Sequence, residues 1–167
     1  TDEPDPYVLS LNADLLGLSS SVAEWFPQSK YLFLFDCLHV FMDAVLVNNF
    51  RYIKELNAHG AQKLRTNVAA LVQVLTQLLP PSQAVLPRAS EYFRLAQLGA
   101  PALMGALGSA ARRFTHLQCR ALFDAAYGEA LQRDTTDATR QAYLNQLTAL
   151  KYHFEGAGHG AVHEEDA

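Results

Sequence analysis

The sequence predicts an all-α protein, an antiparallel helical bundle of about seven helices. Apolar residues recur at intervals of three and four along most of the chain, which is the spacing of one helix face. Prolines and glycines interrupt this pattern at short intervals, as they do between helices. No stretch alternates apolar and polar residues for long enough to indicate a strand. Helices joined by short loops pack as an antiparallel bundle.

Composition supports one compact domain with a core of its own. The chain has 167 residues, of which 50% are hydrophobic and 18% are charged, and this balance excludes general disorder. Its two cysteines, Cys37 and Cys119, form no disulfide framework and suit a reducing compartment. The sequence begins with Thr1 and shows no signal-peptide pattern, so we expect a piece of a longer chain whose targeting signal could lie outside these residues.

Three regions follow from the composition along the chain. Residues 1–6 are acidic and contain proline, and they are predicted to be a lead-in or linker. Residues 7–154 carry the helical periodicity and are predicted to form the bundle. Residues 155–167 contain glycine, histidine and acidic residues, and they are predicted to be a disordered tail.

The first two predicted helices lie before residue 49. Leu11, Leu15, Leu18 and Val22 have helical spacing within the first, Pro27 ends it, and Ser29 is a candidate cap for the second. Residues 30–48 are apolar almost all round, which predicts a central buried helix. Three polar residues, Asp36, His39 and Asp43, interrupt this stretch, so it is not expected to span a membrane.

The remaining helices have clear start and stop signals. From Gly60 to Leu79 the apolar seam is Leu64, Val68, Leu71, Leu75 and Leu78, and two prolines follow it. Shorter helices are predicted over 88–98, with Ala89, Tyr92, Phe93 and Ala96 on one face, and over 101–111. Thr115 and Gln118 have the spacing of a capping box before the apolar residues Leu117, Ala121, Leu122 and Ala125. A last helix carries Tyr143, Leu147, Leu150 and Phe154 at helical spacing.

Asp36, His39 and Asp43 form the sharpest polar group in the sequence. Their spacing places two carboxylates and an imidazole on one stripe of one helix, where they could bind a divalent metal or act as acid and base. We favour the simpler interpretation that this stripe is an exposed helix edge or a locally hydrogen-bonded group. His153, His159 and His163 lie in or beside the glycine-rich tail and precede Glu164, Glu165 and Asp166; they could chelate a metal weakly, and we favour a solvated tail. No metal and no cofactor is therefore expected.

The sequence contains no catalytic motif. There is no nucleophile elbow, phosphate-binding loop or dinucleotide fingerprint, and both cysteines fall within predicted helices, where they usually pack. These observations predict a protein that is not an enzyme and has no small-molecule substrate.

The charge is distributed unevenly along the chain. The net charge is −4, yet residues 44–123 contain nine basic and two acidic residues, which is +7. Such a basic middle fits an acidic partner helix or an anionic membrane lipid, unless acidic residues elsewhere neutralise it. Nucleic acid is a weaker candidate, because aromatic residues do not interleave with the basic ones. The candidate contact residues are Lys63, Arg65, Arg112, Arg113 and Arg120.

The order of several segments resembles the C-terminal region of the exocyst complex component 4 family, the Sec-eight subunits. The segments are PYVLSLNADL, WFPQSKYLFLFDCL, GAQKLRTNVAALVQVL, RASEYFRLAQL and RFTHLQCRALF, and the resemblance covers about residues 4–154. In the last segment, Gln118 and Cys119 stand where the family pattern has Glu and Tyr.

This resemblance implies a non-enzymatic subunit of an eight-subunit complex that tethers secretory vesicles to the plasma membrane before fusion. The chain would then be the terminal bundle of a helical rod, cytoplasmic and peripheral at sites of exocytosis, with the other exocyst subunits as its partners. The alternatives are a phosphoinositide- or anionic-membrane-binding helical module, or a subunit of a related Golgi or endoplasmic reticulum tethering complex.

Overall fold

The structure is a computed structural model that describes residues 3–110, 113–133 and 136–159. Within these ranges every regular element is helical and no strand occurs, which confirms the predicted all-α class. The described elements are α1 (Pro6–Trp25), α2 (Gln28–Phe35), α3 (Leu38–Asn49), a short 3₁₀ turn (Phe50–Tyr52), α4 (Ala58–Leu78), α5 (Pro87–Ala96), α6 (Gly99–Ala110), α7 (His116–Arg133) and α8 (Asp137–His159).

The helices divide into two compact units. The first contains the described residues up to Asn48 together with His59–Arg94, and the second contains Asn49–Ala58 and the described residues from Leu95 onward. The sequence predicts a bundle over residues 7–154 without this division. Periodicity identifies helices but does not reveal which of them share a core.

The core of the first unit forms along α4 and α5. Val68, Leu71, Leu75 and Leu78 of the predicted α4 seam are at most 4% exposed. Ala89, Tyr92 and Phe93 of α5 are buried as the spacing predicts, and Gly99 after this helix has a φ of 67°, the left-handed conformation that favours glycine. These strongly periodic helices were therefore predictable from the sequence.

The predicted central buried helix over residues 30–48 is wrong in two respects. The regular helix is interrupted after Phe35 and resumes at Leu38, so α2 and α3 replace one element. Phe35, Met42 and Val47 are buried, but Phe33 on the opposite flank is 80% exposed. An apolar flank is buried only where another element covers it, and here one flank is left uncovered. The predicted cap at Ser29 is also wrong, because α2 begins one residue after Pro27.

Hydrogen bonds fasten the start of α1 to α4, and α1 to α2, in the first unit. Asn67 is buried on α4; its side-chain oxygen accepts the Asp5 backbone N–H at 2.8 Å, and its amide nitrogen donates to the Asp5 carboxylate at 2.7 Å. This bond to Asn67, with the nearby Lys63 ammonium, lowers the pKa of the Asp5 carboxyl. Further along α1, Ser19 and Tyr31 share a hydroxyl–hydroxyl hydrogen bond of 2.7 Å.

The second unit is built around α7. The predicted capping box forms: the Gln118 side chain accepts the Thr115 N–H at 2.9 Å, and the Gln118 N–H donates to the Thr115 hydroxyl at 3.3 Å. Ala121, Leu122 and Ala125 are buried as predicted, whereas Leu117 is exposed because it lies on the outer side of the first turn.

Residues 49–58 cross α7 at very close range. The Leu56 N–H donates to the Ala125 carbonyl at 3.2 Å. Gly128 lies so near the Lys54 carbonyl that a Cβ there would approach it to under 3.0 Å. Glycine at this position therefore permits the crossing.

Helix α8 packs against α7. The Tyr143 hydroxyl donates to the Asp124 carboxylate at 2.7 Å, and burial, followed by this bond, raises the pKa of Tyr143 to about 12. The helix continues to His159, so the first residues of the predicted 155–167 tail are helical, and those from 160 onward lie outside the described residues.

Candidate interaction surface

The structure gives the three polar residues of the predicted metal stripe different surroundings. Asp36 lies in the turn between α2 and α3, where its carboxylate accepts a 2.9 Å hydrogen bond from the Gln83 side chain. His39 lies on α3, and its Nδ1 atom is buried without a hydrogen-bond partner. Among the described residues, no cluster of three His, Cys, Asp or Glu side chains has a geometry that could hold a metal ion.

Asp43 has a specific role in holding two helices together. It is only 6% exposed, and its two carboxylate oxygens accept the backbone N–H groups of Ala89 at 2.7 Å and Arg88 at 3.1 Å. These are the first free donors of α5, because Pro87 at the start of the helix has no N–H. A carboxylate at the N-terminus of a helix also interacts favourably with the positive end of the helix dipole. Asp43 therefore caps α5 from a position 46 residues earlier in the chain.

The histidines in or beside the predicted tail fall at the end of the described residues. His153 and His159 lie on the last turns of α8, and His163 falls outside the described residues together with Glu164, Glu165 and Asp166.

The predicted basic contact residues are divided between the two units. In the first unit, Lys63 is half-buried on α4, donates to the Glu3 carbonyl and lies 3.5 Å from the Asp5 carboxylate. It thus holds the start of α1 to α4. Arg65 is exposed two positions further along the same helix, and residues two apart on a helix do not face the same way.

The other three candidates lie on or just before α7 in the second unit. Arg113 is exposed, and Arg112 is outside the described residues. Arg120 lies 3.7 Å from the Asp124 carboxylate one helical turn later, an exposed pair that contributes little stability. The basic side chains of the +7 segment thus belong to both units.

The most distinctive surface is apolar, and the sequence did not predict it. Of the 17 large hydrophobic side chains that are exposed among the described residues, 12 lie between Tyr7 and Val45. We call the exposed side of α2 and α3 the apolar face. It consists of Phe33 (80% exposed), Leu34 (57%), Val40 (59%), Phe41 (66%) and Val45 (37%).

Helical spacing places these side chains on one surface. Phe33 and Val40 are seven residues apart, as are Leu34 and Phe41, and seven residues make nearly two helical turns. The break between α2 and α3 preserves this alignment, because Asp36 keeps right-handed helical angles and the Phe41 N–H donates to the Cys37 carbonyl at 3.0 Å. Neighbouring exposed apolar side chains of this kind, as opposed to single scattered ones, are typical of an interaction site.

The same region is the segment of the described residues that meets simple criteria for crossing a membrane. Gln28–Tyr52 is long and apolar enough by length and composition, and 22% of its most apolar window is buried within the protein. Core helices of soluble proteins have the same length and composition.

Comparison with known proteins gives a limited and consistent result. No family model matches the chain, and no solved structure matches it. The chain is 25% identical over 114 residues to exocyst complex component 4 of Homo sapiens and, at the same identity and length, of Mus musculus. It is 26% identical over 103 residues to the probable exocyst complex component sec8 of Neurospora crassa.

These matches cover part of this chain and a small part of each relative. The aligned region is 68% of this chain and 12% of the human protein, and 62% of this chain and 9% of the Neurospora crassa protein. The chain is thus similar, at low identity and over part of its length, to exocyst complex component 4 proteins of several species.

Proposed function

We propose that this chain belongs to the C-terminal region of an exocyst complex component 4 subunit, which tethers secretory vesicles to the plasma membrane before fusion. It acts through protein–protein contacts with other exocyst subunits and without catalysis, in the cytoplasm and peripherally at sites of exocytosis. The observation that carries this proposal is the similarity to exocyst complex component 4 proteins of animals and of Neurospora crassa.

Two structural observations support this proposal. The all-α fold suits a subunit assembled from helical bundles. The apolar face leaves two phenylalanine rings mostly exposed, and large exposed apolar surfaces of this kind are covered in protein assemblies.

The basic residues remain proposed partner contacts, and their exposure and existing ion pairs bear on the proposal. Arg113 and Arg65 are exposed, so both are accessible to an acidic partner. The Lys63 ammonium already pairs with Asp5, which weakens Lys63 as a candidate. Arg120 pairs with Asp124, which is itself partly exposed. Arg112 is retained with its neighbour Arg113.

Affinity purification tests the proposed function directly. The full-length protein that contains this chain is tagged in its own cells and purified at physiological salt, and the bound proteins are identified by mass spectrometry. We expect the other exocyst subunits to co-purify in near-equal amounts. Purification of the tagged protein without any of them would refute the proposal.

Charge reversal then tests the basic contacts. The double variant Arg112→Glu, Arg113→Glu is expected to reduce co-purification of at least one other subunit without lowering the melting temperature. Arg94→Glu is the matched control in the first unit, since Arg94 is an exposed arginine whose charge is already paired with Glu91 at 2.8 Å. Unchanged co-purification in the double variant would remove these two residues from the proposed contact set.

A further inference from the structure

We draw no further inference here: the strongest candidate, the apolar face of α2 and α3, exposes Phe33, Leu34, Val40, Phe41 and Val45 on one surface, but nothing in the structure shows what covers it.

Discussion

Replacing Asp43 by alanine should destabilise the protein far more than replacing Asp36, although both belong to the same predicted stripe. In the wild type, the buried Asp43 carboxylate accepts the N–H groups of Ala89 at 2.7 Å and Arg88 at 3.1 Å. Asp43→Ala removes both acceptors and leaves two donors at the start of α5 without a partner. Asp36 is exposed and bonds to the flexible Gln83 side chain, so its loss is easily replaced by water.

The expected magnitude follows from the two hydrogen bonds. A hydrogen bond to a charged group contributes roughly 1.5–3 kcal/mol, and loss of a helix cap costs about 0.5–2 kcal/mol. The Ala89 N–H is buried, whereas the Arg88 N–H is only partly buried and can be hydrated. We therefore expect Asp43→Ala to lower the free energy of unfolding by about 3 kcal/mol and Asp36→Ala by less than about 0.5 kcal/mol.

Thermal unfolding and hydrogen exchange measure this difference. A loss of about 3 kcal/mol lowers the melting temperature of a protein of this size by roughly 6–12 °C. In Asp43→Ala, the amide of Ala89 should also exchange much faster with solvent, whereas in Asp36→Ala it should exchange at the wild-type rate. Equal melting temperatures for the two variants, with unchanged exchange at Ala89, would refute the assigned role of Asp43.

Other consequences concern the second unit and the thiols. Gly128→Ala should lower the free energy of unfolding by about 2 kcal/mol in urea denaturation, because its Cβ would displace the crossing segment 49–58. Gly105 lies in open space on α6, so Gly105→Ala should instead raise the free energy of unfolding by about 1 kcal/mol. A change of the same sign in both variants would contradict the close approach of segment 49–58 to Gly128. At pH 8 a thiol reagent should modify the exposed Cys37 in the native protein and reach the buried Cys119 only on unfolding, so rapid modification of both would be inconsistent with the fold. Burial raises the pKa of Cys119 from 9.0 to about 11, so the unfolded state loses this proton first and stability should fall as the pH rises from 9 to 11. Cys119→Ala should reduce that slope most clearly between pH 9 and 10, because the raised pKa of Tyr143 adds to it above the ordinary tyrosine value of 10.0.

Helices with local signals were predictable from the sequence alone. The apolar seam of α4 is followed directly by Pro80 and Pro81, so both its inner face and its end are encoded in adjacent residues. The capping box of Thr115 and Gln118 likewise involves groups three residues apart, and both of its hydrogen bonds form. Such features need no information about distant parts of the chain.

The roles of the buried polar residues depend on contacts between distant parts of the chain, which no local sequence pattern reveals. Asp43 bonds to Ala89, and Asn67 bonds to Asp5, across intervals of 46 and 62 residues. In the sequence, Asp43 is compatible with a metal ligand, an acid or base, an exposed helix edge or a locally hydrogen-bonded group. Only the folded chain selects one of these, because the partner N–H groups are brought near by tertiary packing.

The sequence by itself determined the helical class, most of the helices and the inward faces of α4 and α5. The reason is that helical periodicity, and the prolines and glycines that end helices, are local features of a few residues each. The tertiary structure alone decided which apolar flank is covered. Residues 30–48 are apolar on nearly every side, so their pattern could not distinguish the flank that contains Phe35 from the one that contains Phe33. Burial depends on which neighbours pack against a helix, and this chain leaves the flank of Phe33 and Phe41 exposed.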